Sequence, residues 1–100
     1  MELRVDERLV LLSTLPTEGS LTTIKIVKDL RNDLSFTEAE HQVLNFREEN
    51  DQVMWDLGVD EVDIDIGPKA HVLIADLLTD LADNEKLTEG HLAVYDKFVE

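Results

Sequence analysis

The sequence predicts a mostly helical α+β fold, on three observations. Apolar residues recur at helical spacing in five stretches. Between residues 52 and 66 the period drops to two, as it does in strands. Turn formers such as Pro16, Gly19 and Gly67-Pro68 separate these stretches. A chain of 100 residues supports one domain around one core. That domain spans 1–100, with a larger part over 6–66 and a helix pair over 68–99.

The first helix is expected to start at Asp6 as N-cap and to carry Leu9, Val10, Leu11, Leu12 and Leu15. Pro16 ends it, because proline disfavours helical geometry in the residue before it. A second helix starts near Thr22 or Thr23. Its apolar side is Ile24, Val27, Leu30 and Leu34, and Ile26 flanks it. Lys25, Lys28 and Arg31 form a basic stripe on its far side, diluted by Asp29 and Asp33. Thr37-Glu38-Ala39-Glu40 is a capping box that announces a third helix. Phe36 precedes the cap and is placed to staple against His41. Val43, Leu44 and Phe46 form the buried side of this helix, which fades over residues 47–51.

Two strands follow. Gln52 to Asp56 places Val53 and Trp55 on one face, and Val62 to Ile66 alternates β-branched residues with Asp63 and Asp65. Residues 57–61 are short enough to join them as an antiparallel hairpin. Pro68 suits the first turn of a fourth helix. Ala70, Leu73, Ile74, Leu77, Leu78 and Leu81 give that helix the cleanest amphipathic pattern in the chain. After a turn over 83–86, Thr88 caps a last helix carrying Leu92, Tyr95, Phe98 and Val99.

Nine basic and 23 acidic side chains give a net charge of −14, and the second half alone carries −10. Such a field opposes bare nucleic acid and anionic lipid, and it attracts a basic protein surface. No apolar run approaches the roughly 18 residues of a membrane span, and the opening Met-Glu-Leu-Arg-Val does not read as a secretory signal. The expected setting is therefore cytoplasmic. Cysteine is absent, so there is no thiolate nucleophile and no zinc–thiolate site.

Glu38 and His41 make one Glu-x-x-His pair, but no second pair completes a di-iron set. Asp56, Asp60, Glu61, Asp63 and Asp65 lack the spacing of a calcium loop. Ser13, Ser20 and Ser35 lie in no nucleophile motif, and no paired glycines could cradle phosphate. The expectation is a non-enzyme with no metal or cofactor.

The order helix, helix, helix, hairpin over Asp6 to Ile66 resembles the winged-helix arrangement, with Ser20 to Thr23 at the place of its short first strand. The resemblance implies a winged-helix-like three-helix core with a β-hairpin, here followed by a C-terminal helical hairpin. Its third helix and wing would be acidic where winged-helix regulators are basic. Winged-helix domains with acidic surfaces look like protein-interaction modules. Leu21 to Arg31 and Lys86 to Glu89 are similar in texture to small bacteriophage and prophage proteins. That likeness implies a bacterial cytoplasm, or the host's if the chain is phage-encoded.

The function expected is thus a small acidic protein-interaction module, a phage or bacterial regulator that binds a basic partner or forms a homodimer. Its contact residues are expected at Met54, Leu57, Val59, Asp60, Glu61, Asp63 and Asp65. In one variant the acidic face mimics DNA. The alternative is a winged-helix DNA-binding transcriptional regulator that uses Lys25, Lys28, Arg31 and Arg47.

Overall fold

A computed structural model describes residues 1–56 and 61–99. The elements are β1 (Glu2–Arg4), α1 (Val5–Thr14), α2 (Leu21–Leu34), α3 (Glu38–Leu44), β2 (Arg47–Glu49), β3 (Gln52–Met54), β4 (Glu61–Asp63), α4 (Pro68–Asp83) and α5 (Glu89–Phe98). The fold is α+β and mostly helical, with two small antiparallel sheets.

Local chemistry sets most of the helix ends. Leu15, ahead of Pro16, is extended with φ −59° and ψ 136°, which stops α1. The start of α1 differs from expectation: Arg4, not Asp6, is the N-cap, and its backbone N–H donates to the Glu7 carboxylate at 2.8 Å. Ser20 replaces Thr22 or Thr23 as the cap of α2, since its hydroxyl accepts from the Thr23 N–H at 3.1 Å. Ser20 to Thr23 is consequently cap and helix, not a strand. Thr37 and Glu40 close their expected capping box at 3.1 and 2.9 Å. Pro68 occupies the first position of α4 behind Gly67. At α5 the Thr88 N–H donates to His91 Nδ1 at 3.0 Å, leaving Nε2 to carry the proton toward the Thr14 hydroxyl at 3.3 Å.

Four helices form a ring in which α1 meets α2, α2 meets α4, α4 meets α5 and α5 returns to α1. The core fills this ring with Leu11 and Leu15, Val27, Leu30 and Leu34, Ile74 and Leu78, and Val94 and Phe98. Leu3 on β1 and Ile64, just past the end of β4, close it. α3 stands outside the ring. The start of α4 meets the end of α5, where His71 Nε2 lies 3.2 Å from the Phe98 carbonyl. Val94 and Phe98 are the buried positions of α5, and Leu92 stays 52% exposed.

Strand pairing departs most from expectation. The segments around 53 and 64 do not pair with each other. β3 pairs with β2 in the register Arg47↔Met54, Glu48↔Val53, Glu49↔Gln52, and β4 pairs with β1 as Glu2↔Asp63, Leu3↔Val62, Arg4↔Glu61. The reason is local. Asn50 and Asp51 adopt φ of 53° and 64°, the left-handed pair that a two-residue hairpin turn needs. That turn folds residues 47–49 onto 52–54, so the expected fade of α3 is instead a strand. Asn45, at φ 50°, ends α3 beforehand. β4 is then left to find Leu3, whose side chain is fully buried. Val53 faces outward at 46% exposure, while Trp55 is half-buried with its ring 6.2 Å from Phe46. Phe36, Phe46 and His41 complete that aromatic group.

One charged residue ties α3 to the ring. Arg8, 2% exposed, donates through Nε to the Leu34 carbonyl at 3.1 Å and through Nη2 to the Ser35 carbonyl at 2.7 Å. Its Nη1 reaches Glu40 at 2.6 Å, and its guanidinium carbon stands 3.9 Å over the Phe36 ring. The carbonyls at the end of α2 would otherwise lack partners. Beside it, Glu7 is equally buried and accepts from Lys97 Nζ at 2.9 Å, which joins α1 to α5, while among the described residues Glu7 Oε2 has no hydrogen-bond partner.

Three predictions follow from this geometry. Arg8→Met should destabilise the chain by about 3 kcal/mol in chemical denaturation, because it strands two carbonyls and a carboxylate. The hydrogen bond from Arg8 holds the Glu40 carboxyl below its ordinary range. Its ion pair therefore stabilises the fold above the unfolded glutamate pKa of about 4.3, and that stability is lost as pH falls through the lower folded value. The stability gap between the native chain and Glu40→Gln should accordingly be full at neutral pH and shrink in acid. Asp51→Val should weaken the β2–β3 hairpin by about 1–2 kcal/mol, whereas Asp51→Gly should not, as amide exchange of Glu48 and Val53 would report.

Candidate functional site

α2 is amphipathic twice over. Its buried line of Val27, Leu30 and Leu34 faces the ring. On either side of that line runs a shallow cleft, and the two clefts have opposite charge.

The larger cleft, about 530 Å³, lies between α2 and the segment leading into α4. Ile26, Leu30, Pro68 and Ala70 supply its apolar surface. Asp29 and Asp33 line it from α2, and Asp65 lines it from the chain beyond β4. Asp29 and Asp33 sit four residues apart and so share one helix face. Asp65 is turned outward by the strand alternation that buries Ile64. All three aspartates are exposed, and among the described residues none has a cation within 4 Å. Lys69 and the N-terminus of α4 also border the cleft and offset part of its charge. A carboxylate excess remains around an apolar floor. Such a surface can seat an apolar side chain and hold cations at its edge.

The second cleft, about 410 Å³, is lined by Pro16, Ile24 and Val27 together with Lys28 and Arg31. Two of the four cations expected to contact nucleic acid thus meet in one place. Lys25 is exposed on the same helix. Arg47 is on β2 and is neutralised locally by Asp56 at 3.0 Å and Glu49 at 3.6 Å.

The structure distributes the expected partner-contact residues over three places. Met54 is on β3, exposed beside Val53. Glu61 and Asp63 are on β4 in the other sheet, with Asp63 2.8 Å from the Met1 amino group. Asp65 lines the larger cleft. Leu57, Val59 and Asp60 lie outside the described residues. The apolar stripe of the last two helices is largely covered within the chain: Phe98 is buried, and Leu73, Leu77 and Tyr95 are half-buried against the core. Val72 and Leu92 face outward.

In the sequence Asp29 and Asp33 stand only as diluents of the basic stripe, and their place on a cleft is not evident there. Their spacing of four, interleaved with Ile26 and Leu30, was the available signal. Nothing in the sequence pointed to Asp65 as their neighbour, since that proximity arises from α2 packing on α4.

Among the described residues no group of three or more His, Asp or Glu is placed to hold a metal ion, and no helix is long and apolar enough to cross a membrane. Comparison with protein-family models, with curated proteins and with solved structures finds no significant match to this chain.

Proposed function

We propose that this chain is a small, non-catalytic, acidic protein-interaction module, acting as a bacterial or phage regulator through a partner with a basic surface. The cleft between α2 and α4 carries this reading, because it combines an apolar floor with carboxylates that, among the described residues, pair with no cation. Several of the chain's own cations are already committed: Arg4 pairs with Asp6, Arg8 with Glu40, Arg47 with Asp56 and Lys97 with Glu7. Much of the net charge of −14 is therefore presented outward. A field of that sign speeds encounter with a basic surface and slows encounter with polyanions. The order α1, α2, α3 and then the β2–β3 hairpin supports a distant winged-helix likeness, and α4 with α5 would be its helical-hairpin addition.

A second reading, DNA binding, is favoured by one observation, the meeting of Lys28 and Arg31 in the smaller cleft. It requires a steep loss of affinity with salt and its abolition by Lys28→Glu.

A tagged pull-down from bacterial lysate, split into nuclease-treated and untreated halves, separates the two readings. The interaction module should retain the same specific protein in both halves, with retention falling as salt rises from about 0.05 to about 0.5 M. Recovery of nucleic acid, with every hit lost after nuclease, would overturn the module in favour of the regulator.

A further inference from the structure

We infer that the α2/α4 cleft docks a short segment of the partner protein in which one apolar side chain is flanked by two Lys or Arg residues. This rests on the interaction reading above and gives it an address and a ligand chemistry. Three features of the cleft argue for that occupant. Its volume of about 530 Å³ suits a few side chains rather than a whole domain face. Its floor of Ile26, Leu30, Pro68 and Ala70 offers no hydrogen-bonding side chain, so the group seated there is apolar. Among its lining residues, the edges carry Asp29, Asp33 and Asp65 against one cation, Lys69, so what flanks that group is positive.

The spacing narrows the motif further. Asp29 and Asp33 stand about 6 Å apart along the α2 axis. Two cations one helical turn apart would match them. Asp65 faces from the opposite lip and fixes which side of the segment the anchor occupies. An anionic segment, or one with no charge, would leave the three carboxylates without counter-charge. A polyanion would be repelled. Gly67 contributes open space at the rim, since a Cβ built there meets nothing within 4 Å.

The test is an NMR titration of the full, isotope-labelled chain with synthetic peptides. The probe peptide carries one Leu flanked by Lys residues at helical-turn spacing. The controls are a scrambled peptide of identical composition and the same pattern with Glu in place of Lys. Saturable shifts should concentrate on amides of residues 26–33 and 65–70 with the probe alone. The Asp29→Asn, Asp33→Asn, Asp65→Asn variant, altered only at exposed positions, should weaken binding at least tenfold while its amide spectrum elsewhere stays native.

Equal binding of the scrambled peptide, or an unchanged affinity of the triple variant, would overturn the docking site. So would the same shifts produced by spermine, which would reduce the cleft to a general cation site, or by raising the concentration of the chain alone, which would assign it to a second copy. The interaction reading fails separately. Should the pull-down retain one protein equally on the native chain and the triple variant, the cleft assignment falls and the module stands. Should neither retain any protein, both fall.

Discussion

The Arg8 guanidinium is the contact on which the arrangement of this chain most depends. It is buried on α1, yet all its partners lie elsewhere: two carbonyls at the end of α2, the Glu40 carboxylate on α3 and the Phe36 ring between them. A helix end leaves carbonyls without partners and carries partial negative charge, so a buried cation there satisfies both at once. A planar fork of donors can meet several acceptors in different directions, which an ammonium on a flexible stem does less well. Glu40 is shared in turn. It accepts from Arg8 while one of its oxygens accepts from the Thr37 N–H, so the box that starts α3 and the clamp that holds α3 in place use one carboxylate.

This clamp explains how a helix outside the core ring keeps a defined place. α3 spans only Glu38–Leu44, too short to be stable by propensity alone, and it carries one fully buried side chain, Leu44. The Asp56 N–H donates to the Leu44 carbonyl at 2.7 Å, which ties the far side of the β2–β3 hairpin back to the same helix. The aromatic rings of Phe36, His41, Phe46 and Trp55 then cluster beside that hairpin, with Phe36, Phe46 and Trp55 half-buried. The chain has an aliphatic core inside the four-helix ring and this half-exposed aromatic cluster outside it, with Arg8 between them.

The division has a consequence for charge. Cations of the chain that are drawn inward serve structure: Arg8 holds α3, and Lys97 holds α5 to Glu7 and the Glu2 carbonyl. Carboxylates drawn inward are fewer than those left outside, so the excess is displayed. It gains chemical meaning only where it borders apolar surface. Along most of α4 the exposed aspartates are simply a solvated face. At the cleft beside α2, aspartates from two distant parts of the sequence border the same apolar floor.

Period and punctuation made the helices legible from sequence alone. The i, i+3, i+4 pattern from Ala70 to Leu81, Pro68 at its start, the Thr37–Glu40 box and Pro16 after α1 are each read within one or two turns of chain, and each holds in the structure. The alternation of Val62, Ile64 and Ile66 against Asp63 and Asp65 also holds, because side-chain direction in a strand is a local property. Strand partners were not legible, since period two says that a segment is extended and nothing about which edge it meets. Asn50-Asp51 carries a turn signal, but the polar Arg-Glu-Glu run before it has no strand propensity to show that the turn closes a hairpin. Burial of Glu7 and Arg8 was hidden for a related reason: charged residues ahead of a leucine run read as solvated, and the carbonyls, carboxylates and lysine that satisfy them lie 26 or more residues away in the chain. The sequence by itself determined the class of fold, most of its helices and the sign of its field. Tertiary structure alone decided strand pairing, the Arg8 clamp and the meeting of Asp29, Asp33 and Asp65, because each joins groups distant in sequence whose proximity follows from how the ring of helices closes.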